Sequence, residues 1–178
     1  AQVGWLIGIP VLTGSVLRLP AGILTDKFGG RIVFAAVMLL SAVPMYFLSM
    51  ADSFWSFFFA GLGFGITGSS FAIGVAYTSL WFRKERQGTA LGIFGAGNLG
   101  AAVTSMSAPA ILGWLTNGGE TLEAWRTLPK YYAAALVVMT LVFLLFTRSR
   151  KADTSMVKGL GARLAPLKNI RVWRFGLY

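Results

Sequence analysis

The chain has 178 residues, of which 56% are hydrophobic and 12% are charged. Soluble domains carry about 25% charged residues, so this composition excludes an ordinary soluble domain. The sequence has neither cysteine nor histidine, which excludes disulfides and cysteine metal sites and removes the commonest general base. We expect no cofactor and no metal, and we read the net charge of +10 as loop charge of a membrane protein rather than a nucleic-acid surface.

Five apolar runs come near the length of about 20 residues that a helix needs to cross a bilayer. They cover residues 3–24, 32–50, 54–82, 89–115 and 131–146. The last run is short, and we expect it to recruit residues 127–130 at the membrane interface. The predicted fold class is therefore all-α, a polytopic transmembrane helix bundle. Its five helices occupy residues 1–147, and tight connections make successive helices antiparallel neighbours.

The charged residues between these runs predict the orientation of the bundle. The charged residues of one set of loops are mostly basic: Lys27, Arg31, Arg83, Lys84, Arg86 and the tail that begins at Arg148. The other set carries Asp52, Glu120, Glu123, Arg126 and Lys130. By the positive-inside rule the first set is cytoplasmic, in a multi-pass protein of the plasma (inner) membrane.

The two ends of the chain predict that it is an internal piece of a longer membrane protein. It starts without methionine and enters an apolar run at once. Residues 148–172 are expected to form a basic cytoplasmic linker, and residues 173–178 the start of the next helix. An alternative for the linker is an amphipathic segment on the inner leaflet, where each basic residue gains about 1 kcal/mol from anionic lipid.

Arg18 is the one charged residue of the first run. A cation at the bilayer centre costs roughly 2.5–3.5 kcal/mol or more, so by default it marks a functional site. Its planar guanidinium offers a fork of donors that suits two oxygens of a small planar anion, whereas lysine offers a point charge. The alternative is an arginine that extends to the cytoplasmic interface, roughly 9 Å away at 1.5 Å per residue.

A glycine-rich turn follows the first run, with the spacing G-x-x-x-D-x-x-G-G-R. Its members are Gly22, Asp26, Gly29, Gly30 and Arg31. The glycines allow a tight reversal with positive φ. Asp26 is placed to pair with Arg31 or with the amino end of a neighbouring helix, as a latch that differs between two states; a simple polar hairpin is the alternative. The motif resembles the signature between the second and third helices of the major facilitator superfamily, which implies that the chain covers roughly the second to sixth transmembrane helices.

The fourth run repeats small residues every four positions, at Gly88, Gly92, Ala96 and Gly100, which lets helix backbones approach closely. Packing does not require Asn98, because an amide in hydrocarbon needs hydrogen-bond partners. The run resembles the nitrate signature of the nitrate/nitrite porter family within the same superfamily, which implies that Asn98, Gly97 and Gly100 bind substrate. The alternative is a close-packed helix in which Asn98 bonds a neighbouring helix.

The resemblance also covers Phe71, which stands among small residues of the third run. On its own, a phenylalanine here is lipid-facing or part of the packing. The porter family stacks an aromatic ring on the planar anion at the matching place, which gives Phe71 that role by resemblance. Tyr77, Thr78 and Ser79 are weaker candidates. The family also binds nitrate with an arginine in its second helix, which implies this role for Arg18, and with a matching arginine in its other half.

The resemblance implies a transporter of nitrate and nitrite by alternating access, by nitrate/nitrite exchange or proton-coupled nitrate uptake. Its implied partners are these two substrates, the lipid bilayer and the missing C-terminal half of the same protein, with no nucleic acid. Every acidic residue lies at a loop or at the end of a run, which favours exchange over proton symport. Two alternatives stay open: transport of another small anion such as a carboxylate, and a membrane sensor or scaffold. The sequence contains no cluster of nucleophile, base or metal ligands, so we do not expect an enzyme.

Overall fold

A computed structural model describes residues 2–116 and 122–150, and these residues form helices joined by short turns. The α-helices are α1 (Gln2–Phe28), α2 (Gly30–Leu48), α3 (Phe54–Phe64), α4 (Ser70–Ser79), α5 (Lys84–Gly95), α6 (Leu99–Leu115) and α7 (Thr127–Phe146). Three 3₁₀ segments lie between or before them, at Gly65–Ser69, Ala96–Asn98 and Leu122–Arg126. The predicted all-α class is confirmed.

Four helical stretches are long and apolar enough to cross a membrane: Val3–Phe28, Gly30–Leu48, Phe54–Ser79 and Glu123–Phe146. They coincide with the first, second, third and fifth predicted spans. The last helix includes residues 127–130, as expected. The predicted fourth span forms α5, a 3₁₀ segment and α6, but its many small and polar residues make it less apolar than the other four. A fifth membrane crossing therefore stays a prediction.

The turn between α1 and α2 consists of a single residue, Gly29. Its φ of 90° lies in the region that glycine enters without the penalty of a Cβ, so the predicted positive φ is confirmed. The amide of Gly29 donates to the carbonyl oxygen of Thr25 at 2.8 Å, which satisfies one of the last carbonyls of α1. The glycine thus lets α2 begin immediately, on a path antiparallel to α1.

The centre of the bundle is built from small and branched side chains on α1, α2 and α4. Ala21, Val33, Val37 and Ile73 form the buried cluster, and Phe34 and Ile66 pack against it. Ser41 of α2 and Thr140 of α7 are fully buried, as expected where helices pack closely in a membrane. Large apolar side chains cover the outside of the described bundle, which is typical of a surface that meets lipid or further protein.

The two ends of the bundle carry different charges. At one end Arg126 donates to the carbonyl oxygens of Ser49 at 3.2 Å and Ala51 at 3.1 Å and forms ion pairs with Asp52 and Glu123. At the other end lie the basic residues, where the guanidinium of Arg150 stands over the ring of Trp81, 5.4 Å from its centroid. The predicted grouping of the loops into two sides is therefore confirmed for these residues. Glu120 and most of the predicted linker 148–172, with the helix start at 173–178, lie outside the described residues.

Candidate anion site

The site begins with a close crossing between α1 and the 3₁₀ segment Gly65–Ser69. A Cβ added to Gly14 would lie 2.8 Å from the carbonyl oxygen of Gly65 and 2.9 Å from the Cα of Gly68. Such distances are too short for any side chain, and the neighbouring atoms are backbone atoms that cannot rotate away. Glycine at positions 14, 65 and 68 therefore lets the two backbones touch.

Arg18 lies one turn beyond this crossing, on α1. Its Nε donates to the carbonyl oxygen of Gly68 at 3.3 Å, so the side chain is held on the glycine-lined wall and does not reach toward the end of the helix. Within the described residues Nε is the one guanidinium nitrogen of Arg18 with a protein acceptor, and the residue is exposed. The Nη atoms, which supply the fork that suits a planar anion, are thus left for another ligand.

The aromatic part of the site joins the third and fourth predicted spans. Phe71 follows Gly68 by three residues and therefore shares its face of the helix. Its ring contacts that of Phe94 in α5, with centroids 5.6 Å apart and planes tilted by 39°, and it is still 42% exposed. Phe94 fits here because Gly74 has no side chain; a Cβ on Gly74 would overlap its ring. Phe71 is thus positioned by packing and retains an open face.

Asn98, Gly97 and Gly100 lie at the break between α5 and α6, and all three are exposed. A Cβ added to Gly97 or Gly100 would meet nothing within 4 Å, and Asn98 makes no side-chain cap for α6. No hydrogen bond among the described residues joins Asn98 to Arg18. The structure therefore brings Arg18 and Phe71 close to Gly68. Among the described contacts, Asn98 is connected with them through Phe94, which precedes it by four residues and touches Phe71.

The residues of the turn motif have separate surroundings. Gly22 has open space around its Cα, whereas Gly30 is buried against the side chain of Tyr77. Nη2 of Arg31 donates to the carbonyl oxygen of Leu144 at 2.5 Å, near the C-terminal end of α7, and Asp26 is half-buried near the end of α1. A cation at a helix C-terminus is favourable, so the described contact of Arg31 ties α2 to α7.

The sequence analysis gave no role in the site to three residues of this region: Gly14, Gly68 and Phe94. Gly68 supplies the acceptor for Arg18, Gly14 permits the crossing, and Phe94 supports Phe71. The four-residue spacing from Gly14 to Arg18 was a usable signal, because residues four apart share a helix face. No comparable signal marked Phe94, whose role depends on a contact between two helices.

Comparison with known proteins identifies the family of the chain. The model of the Major Facilitator Superfamily matches residues 1–176. Over 183 residues the chain is 40% identical to a "Probable nitrate/nitrite antiporter NarK1" of Thermus thermophilus, covering 99% of this chain and 41% of that protein. It is 36% identical over 145 residues to a "Nitrite extrusion protein" of Bacillus subtilis (strain 168), covering 82% and 35%. It is 35% identical over 158 residues to a "Probable nitrate transporter NarT" of Staphylococcus aureus (strain JH9), covering 88% and 39%.

The chain spans about two fifths of the length of these curated relatives. No solved structure shows significant similarity to it. The predicted likeness to nitrate/nitrite porters is confirmed by the names of the relatives, and the match to the family model extends over nearly the whole chain. Together with the four apolar helices, these findings identify a multi-pass membrane protein. The chain belongs to the Major Facilitator Superfamily.

Proposed function

We propose that this chain is part of a transporter of nitrate and nitrite that works by alternating access. The observation that carries the proposal is the position of Arg18, which donates through Nε to the carbonyl oxygen of Gly68 and keeps its Nη atoms for an anion. The names of the similar proteins give the substrates, nitrate and nitrite. Binding at such a site would let two halves of a transporter move around a small anion held within the membrane.

Each site residue has a distinct role in this proposal. Arg18 supplies the charge and a bidentate fork for two oxygens, and the open face of Phe71 lies against the plane of the anion. Asn98 and the backbone at Gly97 and Gly100 supply hydrogen bonds in the anion-bound state. The facing wall of the site is formed by the C-terminal half of the same protein, which corresponds to the part of the relatives that this chain does not match.

We propose exchange of nitrate for nitrite in preference to proton-coupled uptake. Proton relays in transporters use acidic residues or histidine within the membrane. Histidine is absent from the sequence. The carboxylates of Asp52 and Glu123 form ion pairs with Arg126 at one end of the bundle. Asp26 lies near the end of α1 and Glu85 in the first turn of α5, so the described acidic residues stand at helix ends and loops. Proton-coupled uptake becomes the better interpretation if transport collapses when only the pH gradient is removed.

The test is nitrate counterflow into vesicles that contain the complete protein and are preloaded with nitrite. We expect Arg18→Lys to lower the rate at least tenfold, because lysine keeps the charge but loses the fork. Lys27→Gln, which removes a cation at the end of the same helix, is the matched control and is expected to keep the rate. A normal rate in Arg18→Lys would contradict the proposed role of Arg18, and the absence of counterflow in the unmodified protein would favour a sensor or scaffold.

A second assay separates the substrate classes. Excess nitrite is expected to compete with labelled nitrate, whereas small carboxylates such as formate or acetate are expected to compete weakly. Stronger competition by a carboxylate would favour the alternative substrate class, another small organic anion. The same proteoliposomes would show no chemical conversion of nitrate, since we propose a transporter in the plasma (inner) membrane and not an enzyme.

A further inference from the structure

A groove of about 580 Å³ runs between α2 and α7 on the outside of the bundle. Its walls are apolar and include Val43 and Phe47 from α2 and Ala134 and Val137 from α7. Val43, Phe47 and Val137 are between 40% and 58% exposed, so no described part of the chain covers them. Alanines at the bottom of the groove keep the two helices close without filling the space above them.

Two side chains with polar tips stand at one end of the groove. Tyr46, in the last turns of α2, and Lys130, in the first turn of α7, line it there. This is the same end of the bundle as the ion pairs of Arg126. Lys130 is exposed, and its aliphatic stem can lie along the groove while its ammonium stays at the membrane surface.

Charge decides what the groove can accept. The two described carboxylates at this end, Asp52 and Glu123, both pair with Arg126. The ammonium of Lys130 therefore forms no ion pair with a described residue. The groove is thus apolar along its length and positive at its mouth, which complements an acyl chain with a negatively charged headgroup.

We propose that this groove binds a phospholipid with an anionic headgroup. One acyl chain lies between α2 and α7, and the phosphate contacts Lys130, with the hydroxyl of Tyr46 as a further donor. A cation close to the lipid headgroups attracts an anionic phosphate, and the orientation predicted from the loops places this site in the outer leaflet. The site lies on the outside of the bundle, away from Arg18, and does not depend on the proposed transport activity.

The test uses the complete protein in phosphatidylcholine vesicles that contain a trace of photoreactive lipid. One sample carries phosphatidylglycerol with a photoreactive acyl chain, and the other carries diacylglycerol with the same chain. After illumination, labelled peptides are mapped by mass spectrometry. We expect phosphatidylglycerol to label residues 39–47 and 130–137 more strongly than diacylglycerol does.

Two substitutions separate the charge from the groove. Lys130→Gln is expected to lower labelling by phosphatidylglycerol about fivefold, the effect of one basic residue near an anionic surface, and to leave labelling by diacylglycerol unchanged. Ala134→Trp is expected to fill the groove and remove labelling by both lipids. Leu40→Trp is the matched control and is expected to leave the labelling unchanged, because Leu40 is 57% exposed on α2, one of the two helices that form the groove, but does not line it.

Three outcomes would overturn the proposal. Equal labelling by the two lipids, or labelling that Lys130→Gln does not change, would show that the headgroup is not recognised. Absence of labelling in the unmodified protein would show that another part of the protein occupies the groove. Lys130→Gln replaces an exposed charged side chain by a neutral polar one, so the test remains decisive even if Ala134→Trp fails to fold.

Discussion

The two 3₁₀ segments that interrupt the long helices, Gly65–Ser69 and Ala96–Asn98, both lie in glycine-rich stretches but have opposite surroundings. In the first, Gly65 and Ser69 are buried, and the backbone touches that of α1 at Gly14. In the second, all three residues are exposed, and a Cβ on Gly97 would meet nothing within 4 Å. We call these two interruptions of the helices the packed break and the open break. Glycines at such a break can be required by close packing or can stand in open space, and composition alone does not distinguish the two cases.

The difference divides the candidate site into two parts. Arg18 and Phe71 belong to the packed break, where Gly68 accepts a hydrogen bond from the guanidinium. Asn98 belongs to the open break, where the described chain gives its side chain no role in stability. We therefore expect substitutions of the close-packed glycines at the first break to act mainly on folding, and substitutions at the second break to act mainly on transport.

The largest effect is expected for Gly14→Ala. The added methyl group would enter space occupied by the backbone of Gly65 and Gly68, and overpacking of this kind costs about 1–3 kcal/mol. This cost exceeds the gain of up to about 1 kcal/mol that alanine brings to a helix interior. Thermal unfolding of the purified protein should show a lower midpoint.

Gly92→Ala is the matched control for Gly14→Ala. Gly92 also lies inside an α-helix, but a Cβ there would meet nothing within 4 Å. Its unfolding midpoint should stay the same or rise. If Gly92→Ala were as destabilising as Gly14→Ala, the fourth predicted span would pack closely in the complete protein, and the contrast between the two breaks would be lost.

A moderate effect is expected for Gly74→Ala, at the point where the two glycine-rich regions meet. The new methyl group would overlap the ring of Phe94, but a side chain can move where a backbone cannot. We expect a loss of stability smaller than that of Gly14→Ala, together with weaker binding of nitrate because Phe71 loses its support. Phe94→Leu in the same chain should restore the unfolding midpoint but not the binding, which would be measured by competition in the counterflow assay.

The positions of the helices could be predicted from the sequence because they follow from local composition. The spans could be located from the apolar runs, the basic loops and the glycine turn. Gly29 has the positive φ that was predicted for this turn. The interruption at Gly65–Ser69 was not predicted, because a 3₁₀ segment differs from an α-helix by only a small change in hydrogen bonding. The 3₁₀ segment forms where the chain packs against α1, and a contact between two helices cannot be read from the local sequence.

The site was predicted less completely than the fold because its parts come from different helices. Arg18 was named from the sequence as a candidate anion ligand, but its acceptor, the carbonyl oxygen of Gly68, belongs to another helical segment that no local pattern connects with it. The latch between Asp26 and Arg31 stays a prediction, since the described contact of Arg31 is with the carbonyl oxygen of Leu144. The distance between two helices depends on packing along their whole length, so the sequence could name Arg18 and Asn98 but could not say how they are separated.

The smallest effect on stability, and the sharpest test of the open break, is expected for Asn98→Ala. Substitutions at exposed positions without packing contacts usually change stability by no more than about 0.5 kcal/mol, so the unfolding midpoint should hardly move. A hydrogen bond to a charged group contributes about 1.5–3 kcal/mol, so nitrate counterflow should fall roughly tenfold or more if Asn98 contacts the anion. A variant that unfolds early would place Asn98 in the packing of the complete protein, and a variant with normal stability and normal transport would remove it from the site. Only a stable protein that transports poorly would support a division in which the glycines of the break at Gly65–Ser69 hold the bundle together, whereas the break at Ala96–Asn98 contributes to substrate binding without stabilising the fold.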